Sequence, residues 1–259
     1  VGGEPCTDCD PVPAPGRVSA NLIDHTAYFV ANNYLDFLGR GPDTTGLRFW
    51  ENEVESCGTN LECREVKRVN VSAAFFLSIE FQETGYLVYR LGMAPDGVAR
   101  RYTEFMGDTR QVGAGVQVGR EGWQGVLEAN RLHEWAQRQG FRAKYDGLDD
   151  EQFVAVLLAN AGMMSDPGRD AVLVSGLRGW TLTRSAVLLK VADDEGLRRK
   201  EFNRAFILMQ HYGYLRRDPD AEGYQYWLSK LESFKGNFVS AEMVKAFLDS
   251  DEYHQRFGQ

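Results

Sequence analysis

Apolar residues recur at three- and four-residue spacing along most of the chain. No stretch alternates apolar and polar positions for long enough to suggest a sheet. From Ile23, a stripe of Tyr28, Phe29, Ala31, Tyr34, Leu35 and Leu38 predicts a first helix, with Asp24 as its expected N-cap. Gly39 and Gly41 stop it. Pro42-Asp43 opens a second helix that runs to about Ser56 on Leu47, Trp50 and Val54. Val66, Val69, Ala73, Phe76 and Leu77 predict a third, ending between Phe81 and Gly85, and Tyr86 to Leu91 resumes helix. Trp123 to Arg138 reads as another amphipathic helix, as does the stripe Phe153, Leu157, Leu158 and Ala161. The glycine-rich run Val112 to Gly119 has room for a short extended piece. The expected fold class is all-α.

Part of this pattern is written twice. Tyr34 to Trp50 and His211 to Trp227 align without a gap at an offset of 177. Leu38, Arg40, Pro42, Asp43, Gly46 and Trp50 meet Leu215, Arg217, Pro219, Asp220, Gly223 and Trp227. A closing motif, Ala74 to Phe81, matches Ala246 to Tyr253 at an offset of 172. The offset drops from 177 to 172, so the first copy carries five extra residues between its two motifs, in the interval that holds Cys57 and Cys63. A degenerate third copy is read between them, from the Phe153 stripe, Asp166-Pro167-Gly168 and the likeness of Trp180–Glu195 to Asn237–Glu252; it lacks the motif arginine and tryptophan. The expected division is an extended Pro/Gly-rich tail (1–22), a first helical module (23–91), an insert with an irregular glycine-rich segment and a helix (92–148), the degenerate repeat (149–198) and a second clear module (199–259). Repetition points to architecture before chemistry.

Composition narrows the class. The chain has 259 residues, 43 % of them hydrophobic and 12 % aromatic, enough for a well-formed core. A net charge of −8 with no basic run argues against nucleic acid and against an anionic membrane as partners. No apolar run approaches the roughly 20 residues needed to span a bilayer. The first residue is Val1, not Met, which is read as an exported chain whose signal peptide has been removed. The four cysteines, Cys6, Cys9, Cys57 and Cys63, form two short-range pairs without nearby histidines. That favours disulfides Cys6–Cys9 and Cys57–Cys63 and an extracellular or cell-surface location.

With its paired Leu-x-Arg-x-Pro-Asp-x-x-Gly-x-x-x-Trp motifs and the closing Ala-Phe…Ser-x-Glu-Phe/Tyr motif, the chain resembles the bacterial domain-of-unknown-function 4214 family, a small helical module akin to the phycobilisome linker fold. The resemblance covers residues 24 to 90 and 200 to 257 well and 150 to 198 weakly. It implies an exported protein of the kind often joined to adhesive or surface-layer modules, and a scaffold for assembly by analogy of fold. The family has no established catalytic residues to carry over.

The candidate chemistry is sparse. Arg40 and Asp43, with Arg217 and Asp220, read as structural: proline presets the turn, aspartate caps the next helix, and arginine bonds helix-end carbonyls or an acidic neighbour. Asp218, Asp220 and Glu222 resemble the opening of a calcium loop, but Ser229 stands where the bidentate carboxylate belongs, and the first copy has Gly41 and Thr45 in place of Asp218 and Glu222. The sequon Asn70-Val-Ser72 falls inside a predicted helix. Tyr212, Tyr214, Tyr224 and Tyr226 crowd the second copy, and those left at the surface would suit an interface. No cofactor, metal or catalytic constellation is expected. The expectation is a non-enzymatic, self-assembling subunit of a surface layer, matrix or filament, its tail docked on a neighbour. The alternative is an adhesion module for cell-surface glycan.

Overall fold

The computed structural model describes residues 21–131 and 135–258, and among them there are helices and turns but no strand. Capping side chains decide where most helices begin, because each accepts a bond from a first-turn N–H that has no partner within the helix. The chain first makes a single 3-10 turn, Leu22–Asp24. The first copy follows as α1 (Thr26–Leu38), α2 (Thr44–Glu55, capped by Asp43), α3 (Leu61–Leu77, capped by Asn60) and α4 (Ile79–Glu83, capped by Ser78). Asp24 is not the cap of α1. Asn21 caps the 3-10 turn instead, and its amide donates to the carbonyls of His254 (2.9 Å) and Gly258 (2.7 Å), which pins the chain one turn earlier.

The chain continues through α5 (Gly85–Asp96), α6 (Tyr102–Val112), α7 (Trp123–Arg131), a 3-10 turn at Trp135–Gln137 and α8 (Gln139–Tyr145). The helix expected from Trp123 to Arg138 is therefore α7 and a separate turn, with residues 132–134 outside the described residues. The extended piece expected in Val112–Gly119 is also corrected. Gly115 (φ 72°) and Gly119 (φ 94°) curl the backbone into turns, a conformation that glycine adopts without steric cost.

Next come α9 (Asp150–Asn160), α10 (Pro167–Arg178) and α11 (Arg184–Ala192), capped by Asp149, Asp166 and Thr183. The second copy is built from α12 (Glu195–Met209), which continues as π-helical turns over Gln210–Leu215, then α13 (Ala221–Ser233, capped by Asp220), α14 (Met243–Leu248) and α15 (Asp251–Gln255, capped by Ser250).

The two copies meet through equivalent faces. α1 packs on the π-helical turns, which stand at its place in the second copy, and α3 packs on α14, its own counterpart. At the centre, Phe37 and Tyr214 occupy the same motif position, and their rings touch edge to face with centroids 5.4 Å apart. Contact between equivalent positions is the signature of a self-complementary interface. Gly213 permits the approach, since a Cβ there would lie 2.8 Å from Phe37 Cζ. Beside it, the Ser72 hydroxyl donates to Asn33 Oδ1 and meets the Tyr214 hydroxyl, each at 2.5 Å. Ser72 is buried, so the sequon it completes serves packing.

Buried charge ties α5 to the end of α11 and to α12. Arg90, with no exposed surface, stacks on Tyr86 (4.3 Å) and donates to the carbonyl of Ala192 (2.6 Å) and to Asp193 (3.3 Å). Burial pulls its guanidinium down to about 10. The Tyr89 hydroxyl donates to buried Glu201 (2.9 Å).

Truncating the central ring tests this arrangement. Phe37→Ala should lower the stability of the whole chain by about 3–5 kcal/mol in chemical denaturation. Phe49→Ala, at a ring more than half exposed, should change it by less than about 1 kcal/mol.

Candidate functional site

The repeated motif folds into a corner, and the closing motif locks it. Arg40 reaches across to Glu80 with two parallel bonds, Nε to Oε1 at 2.6 Å and Nη2 to Oε2 at 2.8 Å, while its third nitrogen donates to the carbonyl of Gly41 (3.1 Å). Arg217 does the same to Glu252, at 2.5 and 2.9 Å, and to the carbonyl of Asp218 at 3.0 Å. Forked arginine–carboxylate pairs of this kind are strong and directional. The glutamates belong to the Ser-x-Glu motif, whose serines cap the following short helix through Phe81 N–H (3.1 Å) and Tyr253 N–H (3.2 Å).

The proline, the aspartate cap and the tryptophan take the same places in both copies. Pro42 and Pro219 are half-buried and precede the caps; Asp43 accepts from Gly46 N–H at 2.8 Å and Asp220 from Gly223 N–H at 2.7 Å. Gly46 leaves room for a tyrosine, since a Cβ there would lie 2.2 Å from the Tyr34 hydroxyl. Trp50 packs on Phe75 (5.8 Å) and Trp227 on Phe247 (5.5 Å). The clamps differ in setting. Arg40 and Glu80 are largely shielded, with side chains 19 % and 8 % exposed; Arg217 and Glu252 are 42 % and 46 % exposed.

A third carboxylate is held without any repeat. Asp36, buried on α1, accepts from Arg216 (2.7 Å to Oδ1) and Arg256 (2.9 Å to Oδ2), both from the second copy. Burial raises its pKa, and the two arginines pull the other way. The equivalent positions in the other copy are Gly213, Gly39 and Thr84. Arg216 stands where Gly39 takes the left-handed conformation and adopts it too, at φ 53°. That costs a non-glycine residue about 1 kcal/mol, which the bond to Asp36 offsets. Pattern reading had no signal for this lock, because its members are unrepeated and 180 and 220 residues apart.

The tyrosine interface expected in the second copy needs correction. Tyr212 and Tyr214 are buried: Tyr214 is the central ring of the copy interface, and Tyr212 lies beneath Tyr102 and Phe105 of α6. Tyr224 is half-buried, and only Tyr226 of the four stands out in solvent. Its equivalent in the first copy, Phe49, is missing from that expectation, although the offset of 177 points straight to it. Phe49 and Tyr226 are 57 % and 59 % exposed and rest edge-on against Trp50 and Trp227, at 4.8 and 5.1 Å.

The remaining candidates resolve simply. Cys57 and Cys63 form a disulfide with Cα atoms 5.6 Å apart, and Cys63 sits in the first turn of α3. Cys6 and Cys9, with the tail as far as residue 20, lie outside the described residues. Asp218 accepts from Tyr102 N–H (2.8 Å) and from the Tyr212 hydroxyl (3.2 Å), and Asp220 is the α13 cap, so two of the three carboxylates of the calcium-like run serve as hydrogen-bond acceptors. Among the described residues no cluster of His, Cys, Asp and Glu is arranged to hold a metal ion. An open groove of about 610 Å³ between α9 and α10 includes Glu151 and Arg178, which pair with each other at 2.8 Å.

The family model described as Domain of unknown function (DUF4214) matches residues 17–84 and 191–257. These are the two stretches that carry the clamps. No curated protein and no solved structure matches the chain.

The clamps make a graded prediction. Arg40→Met leaves Glu80 shielded and unpaired and should cost about 3 kcal/mol. Arg217→Met, at an exposed pair, should cost within about 1 kcal/mol. The hydrogen bond from Arg217 lowers the pKa of Glu252. That contribution is present above the ordinary carboxylate value and is lost as pH falls through the lowered one. The gap in melting temperature between wild type and Arg217→Met should therefore close below about pH 4.

Proposed function

Since the chain belongs to the DUF4214 family, a domain of unknown function, we propose that it is a non-enzymatic, exported structural protein that assembles with copies of itself into a surface layer, matrix or filament. In this reading the N-terminal tail links one subunit to the next. The observation that carries it is the pair Phe49 and Tyr226. Both copies keep a large ring in water at the same position on the second helix, braced by the motif tryptophan. A ring held in water at the same position of both copies offers the apolar area that contact with another protein uses. The repeated polar groups of the motif are already engaged in caps and clamps. The Cys57–Cys63 bond supports an oxidising compartment. Among the described residues no helix is long and apolar enough to cross a membrane.

A second reading, a module for cell-surface glycan, draws on the same rings, because sugars also stack on exposed aromatics. Affinity electrophoresis through gels loaded with polysaccharide separates the two: Phe49→Ala and Tyr226→Ala should abolish retardation if glycan is the ligand.

Purified full-length protein should form ordered polymers by negative-stain electron microscopy and sediment as a growing species on concentration. The double variant Phe49→Ser, Tyr226→Ser should stay small. A wild-type chain that remains a monodisperse monomer at every concentration would overturn the assembly reading.

A further inference from the structure

The two copies are covered unequally, and the difference falls on one face. In the second copy the stripe Ala205, Leu208 and Tyr212 is 0 %, 5 % and 2 % exposed. The chain that follows the first copy covers it. α5 packs on α12, and α6 lays Tyr102 and Phe105 over Tyr212, with ring centroids 5.6 and 5.2 Å away. The cover is anchored by polar bonds at its start. The Tyr212 hydroxyl donates to the carbonyl of Arg100 (2.5 Å), and Tyr102 N–H donates to Asp218 (2.8 Å).

The same stripe of the first copy is Tyr28, Ala31 and Leu35, by the offset of 177 that aligns the motifs. Tyr28 is 38 % and Leu35 45 % exposed. These are the large apolar positions of α1 that face solvent, on a helix whose other aromatic and branched aliphatic residues are buried. Phe257 meets Tyr28 edge to face at 5.8 Å and extends the apolar surface. At its border, near Tyr28 and Tyr102, stands Arg216, about half exposed. One copy thus has a peptide cover with apolar side chains and anchored backbone. The equivalent face of the other has none among the described residues.

We propose that the Tyr28–Leu35 face of α1 is the acceptor for residues 1–20 of a neighbouring copy of this chain. Three features select that occupant. At least twenty residues precede Asn21, and extended at about 3.3 Å per residue they reach well beyond the few turns of α1 they must cover. Their stretch Pro11-Val12-Pro13-Ala14-Pro15 has the composition that docks as a polyproline helix on aromatic surfaces such as Tyr28 and Phe257. Glu4, Asp8 and Asp10 outnumber Arg17, so the segment is acidic, and at the border of the face Arg216 and Arg256 share the single carboxylate of Asp36, which leaves one positive charge over. The inference rests on the assembly reading, in which the tail bridges subunits, and it names where the tail lands.

Hydroxyl-radical footprinting of full-length protein, with peptide-resolved mass spectrometry, tests it. In assembled material Tyr28 and Leu35 should be modified several-fold more slowly than in the same protein diluted to monomer. A chain lacking residues 1–20 should show the fast rate at every concentration. Val172, exposed on α10, should react alike throughout as an internal reference. Leu35→Glu, a surface change that leaves the core intact, should weaken assembly while keeping the helical circular dichroism of wild type. Assembly with Tyr28 and Leu35 still modified at the monomer rate overturns this acceptor and leaves the assembly reading standing. Protection that depends on residues 1–20 but persists in the monomer also overturns it, since the donor is then the chain's own tail. Absence of assembly under all conditions overturns both.

Discussion

The forked bond between Arg40 and Glu80 is the constraint on which the first module depends. It joins the turn after α1 to the start of α4, and so fixes where α2 and α3, which lie between them in sequence, must return. Both partners are largely shielded from water, where a carboxylate without a counter-charge is costly. The arginine's third nitrogen closes on the carbonyl of Gly41, so one side chain satisfies the turn between α1 and α2 and an acid together. Arg217 and Glu252 repeat the arrangement in more exposed surroundings. The corner therefore survives as geometry even where its contribution to stability is smaller.

Much of this was legible in the chain. The offset of 177 located both corners, the caps Asp43 and Asp220, and the tryptophans behind them. The offset of 172 located the serine–glutamate motif. Hidden from sequence was that the two motifs are one device, because spacing along a helix says nothing of which acid an arginine will meet across a bend. The tyrosines show a related limit. Periodicity assigns Tyr212 to a face of its helix, but only the folded insert decides that α6 covers that face. Thus Tyr212 is core, while Leu35 at the matching position is not. The Asp36 lock lay beyond reach for a third reason: it is made only once.

Among the described residues, polar groups that might have suggested chemistry are drawn into architecture. Asp218 holds the start of α6 through Tyr102 N–H, Ser72 bridges the copies through Asn33 and Tyr214, and Arg90 threads the core between Tyr86 and the end of α11. Buried charges of this kind are costly unless each has its partners, and here each has at least one. Among the large apolar side chains left exposed are Phe49, Tyr226, Tyr28 and Leu35.

The contact between Phe37 and Tyr214 has a consequence for how such a molecule can change. Were the two halves separate identical chains, every substitution at their junction would appear twice and would have to fit its own mirror. Joined in one polypeptide, they pair at an effective concentration that dilution cannot lower. Each position then answers to a single partner. Phenylalanine can face tyrosine, and an acid at position 36 can seek two arginines while its counterpart shrinks to Gly213. Within one chain the junction is free of symmetry, and the two halves can take unlike roles while keeping the same corner.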